Sequence, residues 1–220
     1  MLLFELKKQL KQFQDLIFNL FFFIITATIF VFAVDFDFSE QKIYAAGIIL
    51  TILILAILMI VEKNLKEDFK DGVLEQLYLY DRDLDKIILA KYFSFLIFVY
   101  FLLLTSPLIL YSLALNFIEI KTFVFITGAM LPLISAFCFL GSIFTFKIAN
   151  YKAFLIYIIV LPLLIPEIIF IMATLKNIFL SNDPTKVINY LEYMFLLNLA
   201  LLPLLYLLAK KSFKLSLQND

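Results

Sequence analysis

The chain has 220 residues, 64% of them hydrophobic, and its 18 Lys or Arg residues balance its 18 Asp or Glu residues. Because soluble domains are only about 45 to 50% apolar, this composition excludes a soluble globular protein, and the zero net charge excludes the overall basic character of a nucleic-acid-binding chain. With no histidine and the single cysteine Cys138, the sequence excludes an internal disulfide and lacks the commonest metal ligand.

Residues 1–15 carry apolar side chains at helical spacing, with lysines on another face. The apolar positions are Leu3, Leu6, Leu10 and Phe13, and the lysines are Lys7, Lys8 and Lys11. This pattern is typical of a helix that lies in the plane of the membrane interface. We therefore expect an interfacial amphipathic helix over residues 1–15.

Six apolar segments follow, each long enough to cross a hydrocarbon core of about 30 Å. They cover about residues 16–34, 43–61, 92–115, 123–146, 153–175 and 190–209. The first is too long for the core of a cleaved signal peptide, which has about 7 to 15 residues. The sequence therefore predicts an all-α integral membrane protein with a six-span domain over residues 16–220.

The stretch 62–91 is the only long polar interruption between spans, with eight carboxylates and six Lys or Arg residues. Each charge would cost about 2.5 to 3.5 kcal/mol at the middle of a span, so the stretch must lie in water. Its apolar residues Leu65, Phe69, Val73, Leu77 and Tyr80 recur at steps of three and four. This spacing predicts an amphipathic helix at the membrane surface, and an ordinary solvated loop with some helix is the alternative.

The distribution of Lys and Arg predicts the orientation, because cytoplasmic segments carry the excess of these residues. The two ends of the chain, the stretch 62–91 and the connection between spans four and five hold 14 of them. The opposite side holds only Lys42, Lys121, Lys176 and Lys186. We therefore expect both termini and the stretch 62–91 in the cytoplasm.

Two polar residues lie inside the predicted spans and form a candidate intramembrane polar site. Glu167 follows Pro162 and Pro166 in span five, and Asn198 lies in span six. An acid within a span predicts a functional site, and a tolerated carboxyl that snorkels outward is the alternative. Asn198 is expected to make an interhelical hydrogen bond.

Span four is rich in small residues, including Gly128, Ala136, Gly141 and Ser142. Small residues let transmembrane helices approach one another closely. We interpret them as a packing surface rather than a substrate path.

No sequence pattern for catalysis is present. The four glycines of the chain do not form the phosphate-binding pattern GxxxxGK[ST], and HExxH, GxSxG and GxGxxG are absent as well. We therefore predict a protein that is not an enzyme, has no catalytic or metal site of its own, and depends on a separate subunit for any energy from ATP.

Three stretches carry a close resemblance to the haem exporter protein B (CcmB) family of cytochrome c maturation. They are Glu67-Asp68-Phe69-Lys70-Asp71-Gly72-Val73-Leu74-Glu75-Gln76-Leu77, Leu89-Ala90-Lys91 and Ile159-Val160-Leu161-Pro162-Leu163-Leu164-Ile165-Pro166. The core of the first is similar to a turn in other type 2 ABC exporter permeases. Two departures are Tyr78-Leu79-Tyr80-Asp81-Arg82 in place of a proline-containing run, and Glu167 in place of an apolar residue.

The resemblance implies a transporter permease subunit of an ABC complex in the bacterial inner membrane, with haem as candidate substrate and ATP used by a partner. The implied partners are a CcmA-like ATPase, CcmC-like and CcmD-like membrane proteins, a CcmE-like haem chaperone and a second permease copy. It also implies a cytoplasmic coupling helix that presses an apolar face into a groove of the ATPase. Its coupling residues would be Glu67, Asp68, Phe69, Asp71, Gly72, Leu74, Glu75, Gln76 and Leu77.

Two other functions fit the sequence. One is a type 2 ABC permease for another substrate, such as a lipid-linked sugar or a drug. The other is a membrane scaffold that assembles cytochrome-maturation proteins and transports nothing.

Overall fold

The computed structural model describes residues 13–33, 41–73, 76–77, 83–112, 115–145, 152–181 and 184–218, whose regular structure is entirely helical. Six long helices make up most of it. They are α1 (Phe13–Ala33), α2 (Gln41–Lys70), α3 (Leu84–Ser112), α4 (Phe117–Thr145), α5 (Lys152–Lys176) and α6 (Pro184–Gln218). A π-helical turn, Asn177–Ser181, follows α5 directly.

Five of these helices, α2 to α6, contain segments long and apolar enough to cross a membrane. The apolar part of α1, Ile17–Phe30, is shorter. The predicted all-helical membrane protein is thus confirmed, with five or six membrane-crossing helices. Of the predicted interfacial helix, residues 1–12 lie outside the described residues, whereas residues 13–15 belong to α1.

Helix α4 is the centre of the bundle, since it packs against α2, α3, α5 and α6. Its residues 133–143 are all buried. A Cβ atom placed on Gly128 would lie 3.3 Å from Cδ2 of Leu103, so glycine at this position permits the close approach of α3. This contact agrees with the interpretation of span four as a packing surface.

Two tyrosines of α3 bond to the backbone of α4 around Pro132. Proline has no N–H, so the carbonyl four residues earlier, that of Gly128, loses its helical donor. The hydroxyl of Tyr100 donates to this carbonyl oxygen at 3.0 Å. Tyr92 donates to the carbonyl oxygen of Pro132 itself at 2.7 Å. The two helices are thus joined at the point where the backbone pairing of α4 is interrupted.

At the end of the bundle where α2 and α4 begin, Glu119 caps the start of α4. Its carboxylate accepts a hydrogen bond from the backbone N–H of Asn116 at 2.7 Å, as expected for a residue at the third helical position. The same carboxylate pairs with Nζ of Lys42 on α2 at 2.8 Å. This pair joins the beginnings of α2 and α4.

Candidate functional site

The polar stretch between the second and third spans is largely a continuation of the two flanking helices. Helix α2 extends beyond Val61 to Lys70, and α3 begins at Leu84. Residues 62–70 are charged and yet helical, because Glu, Lys and Leu are all good helix formers. The predicted apolar stripe starts in this extension, where the side chains of Leu65 and Phe69 lie outside the described part of the structure.

Gly72 ends the extension of α2. Its φ of +67° lies in the left-handed region, which glycine adopts without the steric cost that a Cβ atom imposes. The N–H of Asp71 still bonds to the carbonyl oxygen of Glu67 at 2.9 Å, and the N–H of Gln76 bonds to that of Gly72 at 3.1 Å. The chain therefore turns at Gly72, within the first of the three stretches that resemble the CcmB family.

Asp68 and Lys91 form a buried ion pair between α2 and α3. The side chain of Lys91 is only 4% exposed and that of Asp68 only 9%. A charge removed from water needs such a partner, because its desolvation costs several kcal/mol. Asp68, predicted to face a partner protein, is therefore used inside the chain to hold the end of α2 against α3.

The other predicted coupling residues differ in how far their side chains are exposed. Asp71 and Gln76 are exposed, whereas Glu67 and Leu77 are half-buried. Leu77 packs against the hydrophobic core of the chain itself. Leu74 and Glu75 lie outside the described residues. Asp71 and Gln76 are thus the predicted residues that the described structure leaves accessible.

Asp83 caps the start of α3. Its Oδ1 atom accepts hydrogen bonds from the backbone N–H groups of Asp85 at 3.2 Å and Lys86 at 3.4 Å, two of the donors that a helix start leaves unpaired. The hydrogen bond with the Lys86 side chain lowers the pKa of the Asp83 carboxyl. The lowered pKa therefore favours the ionised carboxylate of Asp83, which accepts these hydrogen bonds.

Asp85 connects the beginning of α3 to the end of α6. It accepts a hydrogen bond from the hydroxyl of Tyr206 at 2.6 Å and pairs with Nζ of Lys210 at 2.7 Å. Together with the Asp68–Lys91 pair, this contact joins α2, α3 and α6 at the same end of the bundle. Both contacts involve residues near the beginning of α3.

The site residues predicted from the sequence do not include Lys91, Asp85, Tyr206 or Lys210. A signal for Lys91 exists, because apolar residues flank it on both sides, from Ile87 to Ala90 and at Tyr92. A lysine in such surroundings needs a buried counter-charge. The sequence does not show which residue provides this counter-charge, because eight carboxylates lie in the same stretch.

Glu167 faces the interior of the bundle. The residue is 1% exposed, and it shares a buried face of α5 with Leu164 and Ile171. Its Oε2 atom has no hydrogen-bond partner among the described residues. The burial disagrees with the alternative of a carboxyl that snorkels outward.

Asn198 makes one hydrogen bond within α6 and one to α4. Its amide donates to the carbonyl oxygen of Met194, one turn earlier in α6, at 2.9 Å. It also donates to the sulfur of Met130 on α4 at 3.2 Å. The expected interhelical hydrogen bond is confirmed, although its acceptor is a weakly accepting thioether rather than a polar side chain.

Comparison with known proteins gives one family. The family model described as CcmB protein matches residues 1–210. No curated protein matches the chain. Among the described residues, no group of three or more His, Cys, Asp or Glu side chains is placed to hold a metal ion.

Proposed function

The chain belongs to the CcmB family, and we propose that it is the permease subunit of an ABC complex that moves or delivers haem for c-type cytochrome maturation. The family match supports a haem-export permease role within a system that contains an ATPase and other membrane proteins. The chain itself is a multi-pass membrane protein of a transporter-subunit family.

We propose that the separate, CcmA-like ATPase docks on the turn between α2 and α3. Asp71 and Gln76 flank Gly72 there and are exposed. Exposed charges at the edge of a contact steer association and fix register more than they add affinity. The charge of Asp71 would therefore orient the ATPase, together with Glu67 and Glu75 of the same predicted set. The neutral side chains of Phe69, Leu74 and Gln76 would contact it.

The observation that carries the proposed coupling of this turn to the membrane-crossing helices is the buried Asp68–Lys91 pair. A force applied to the turn at Gly72 reaches the end of α2, and the pair connects this end directly to α3. A buried pair resists separation strongly, because breaking it leaves an uncompensated charge. Movement of the ATPase would thus be transmitted to α3 rather than absorbed by a flexible loop.

The contact of Asp85 with Tyr206 and Lys210 extends this connection to α6. When α3 tilts, α6 would follow at its carboxyl end. Rigid-body rocking of packed helices is a common form of conformational switching. The direction of movement would be set by the partner subunits, for which the resemblance suggests CcmC-like and CcmD-like proteins, a CcmE-like chaperone and a second permease copy.

Site-directed photocrosslinking tests the docking position. A photoreactive amino acid at Gln76 is expected to crosslink to the ATPase when both subunits are co-expressed. The matched control is Tyr111, which is 77% exposed near the opposite end of α3. Equal crosslinking of the ATPase to both positions, or none at Gln76, would contradict docking at this turn.

Reconstitution of the chain with its ATPase, the CcmC-like and CcmD-like proteins and the CcmE-like chaperone tests the proposed activity. We expect haem to stimulate ATP hydrolysis, and ATP to drive either haem movement or release of the haem-loaded chaperone. Indifference of ATP hydrolysis and chaperone release to haem would favour a permease for another substrate.

A further inference from the structure

A cavity of about 360 Å³ lies between α3, α4 and α6, near the end of the bundle where α3 begins and α6 ends. Its lining is almost entirely apolar and includes Ile88 and Leu89 on α3 and Leu205, Tyr206 and Ala209 on α6. Side chains on opposite sides of a cavity make few packing contacts with one another. This stretch therefore holds α3 and α6 together only weakly.

A polar cluster lies at the end of the cavity nearest the aqueous phase and joins the two helices. Tyr206 lines the cavity, and its hydroxyl donates to Oδ1 of Asp85 on α3 at 2.6 Å. Lys210, one turn further along α6, pairs with the same carboxylate at 2.7 Å. Asp85 itself lies one turn before Ile88 and Leu89 of the cavity wall. The cluster therefore closes the boundary between α3 and α6 where the cavity approaches water.

Water reaches this cluster, which makes it easier to separate than the other ion pair of α3. The side chains of Asp85 and Lys210 are 42% and 41% exposed. An exposed ion pair contributes little net stability, because water solvates both charges when they part. The side chains of Asp68 and Lys91 are only 9% and 4% exposed, so their separation would leave buried charges. Helix α3 is thus joined firmly to α2 and reversibly to α6.

We propose that Asp85, Tyr206 and Lys210 form a latch that closes the aqueous end of this cavity, and that its release lets α6 move away from α3 and opens the cavity to water. In the closed state the two helices move as one body, whereas in the open state they move separately. The inference rests on the contacts of these three residues and not on the haem-related role proposed above.

Access of a water-soluble maleimide to the cavity measures the latch. The labelled position is Ala136→Cys, a small change at a buried residue of the cavity wall on α4, in a chain whose Cys138 is replaced by Ala. The full chain is reconstituted in lipid nanodiscs, where both aqueous sides are accessible. Labelling should be slow and should follow the population of the open state. Labelling as fast as that of Asp71→Cys, at an exposed residue, would overturn the proposal.

Removal of the central carboxylate tests the residues of the latch. Asp85→Asn should raise the labelling rate about ten-fold, as expected for the loss of one hydrogen-bonded charge. The control is Lys86→Gln, which removes the exposed pair of Lys86 with Asp83 one residue away from Asp85, and it should leave the rate unchanged. Equal labelling rates in the two variants would overturn the proposal.

An exchange of charges separates the latch from a general effect on the stability of the helices. Lys210→Asp places a second carboxylate opposite Asp85, so repulsion should raise the labelling rate. The further change Asp85→Lys restores an attractive pair in the reverse direction and should return the rate most of the way to its original value. A double variant that labels as fast as Lys210→Asp alone would contradict the latch.

The natural Cys138 reports on the rest of the bundle. It is buried on α4 and is not among the residues that line the cavity. In a chain that keeps Ala136 and Cys138, Asp85→Asn should leave the cysteine unlabelled. Labelling of Cys138 as fast as that of Ala136→Cys would show that the whole bundle loosens, and it would overturn the assignment of a local latch.

Discussion

Asp68 and Lys91 form an ion pair that water barely reaches, and such a pair behaves differently from one on the surface. Removing one partner leaves the other charge buried without compensation, which costs about 3 to 5 kcal/mol. Replacing both partners by apolar residues of similar volume removes the desolvation cost and is often neutral. A comparison of single and double substitutions therefore separates the contribution of the pair to stability from its contribution to function.

We predict that Lys91→Met alone destabilises the chain by about 3 to 5 kcal/mol and that the double variant with Asp68→Leu recovers most of this loss. Unfolding in mixed detergent micelles, followed by circular dichroism, measures both. The control is Lys86→Met, because Lys86 is 63% exposed and pairs with Asp83 at 3.2 Å. An exposed pair contributes about 0 to 1 kcal/mol, so a loss for Lys91→Met no larger than the control would contradict the prediction.

The same double variant tests the coupling role. If the pair transmits movement, the double variant should fold and bind the ATPase but lose most cytochrome c assembly, because apolar contact resists separation of α2 and α3 less specifically. Assembly is measured by haem staining of c-type cytochromes in cells. Full assembly by the double variant would remove the transmission role while leaving the docking proposal intact.

Glu167 has a buried oxygen with no partner among the described residues, and Thr127 has another. An unsatisfied buried polar group costs free energy that its removal recovers. We predict that Glu167→Leu and Thr127→Val leave the free energy of unfolding unchanged or raise it. The measurement is the same unfolding assay in mixed micelles.

The contrasting control is Ser106→Ala. Ser106 donates to the carbonyl oxygen of Leu103 at 2.7 Å, which Pro107 leaves without its helical donor. Loss of this hydrogen bond should therefore lower the free energy of unfolding by about 1 kcal/mol. Destabilisation by Glu167→Leu beyond that of Ser106→Ala would mean that Glu167 is held by a polar contact or ligand.

At the scale of elements, α4 is interrupted by Pro132 and yet carries the longest buried run described. The interruption frees the carbonyl of Gly128, and Tyr100 of α3 donates to it at 3.0 Å. The proline and the tyrosine are thus energetically linked, although they lie on different helices. A double-mutant cycle measures such a link directly.

We predict that Tyr100→Phe destabilises the chain by about 1 kcal/mol, the usual net contribution of one hydrogen bond. In a Pro132→Ala background the effect should be smaller, because an alanine in place of the proline supplies the N–H that the Gly128 carbonyl lacks. The control Tyr111→Phe, at a residue that is 77% exposed, should have no effect in either background. Equal losses from Tyr100→Phe in both backgrounds would disprove the link.

Hydropathy predicted the positions of the helices because 18 or more apolar residues in succession permit few other structures in a membrane. The helix ends were harder to predict, since the charged residues 62–70 are good helix formers and simply continue α2. Gly72 marks the end of the α2 extension by its residue type, because its φ is positive.

The interior faces of the helices were not predictable in the same way. In a helix that is apolar all round, hydrophobicity does not distinguish the side that meets lipid from the side that meets protein. The direction of Glu167 was therefore open until the packing of α5 was known. The pairing of Asp68 with Lys91 was also hidden, because it joins residues from two helices that sequence spacing does not relate.

At the scale of the whole molecule, the two aqueous ends of the bundle are chemically different. One end holds the turn at Gly72, the two ion pairs that join α3 to α2 and to α6, and the lysines of α6. The other holds the Lys42–Glu119 pair. Because cytoplasmic segments carry the excess of Lys and Arg, the end with the turn should face the cytoplasm, where ATP is available to a partner.

We predict that a membrane-impermeant maleimide labels Lys121→Cys in intact cells, or in spheroplasts if an outer membrane is present, and labels Asp71→Cys only after the cytoplasmic membrane is permeabilised. Both positions are exposed, so access depends on the side of the membrane rather than on burial. The natural Cys138 is buried and serves as the internal control, because the unaltered chain should remain unlabelled in both conditions. Labelling of Asp71→Cys before permeabilisation would place the turn beyond the reach of a cytoplasmic ATPase, and the proposed coupling of ATP hydrolysis to α3 would then be physically impossible.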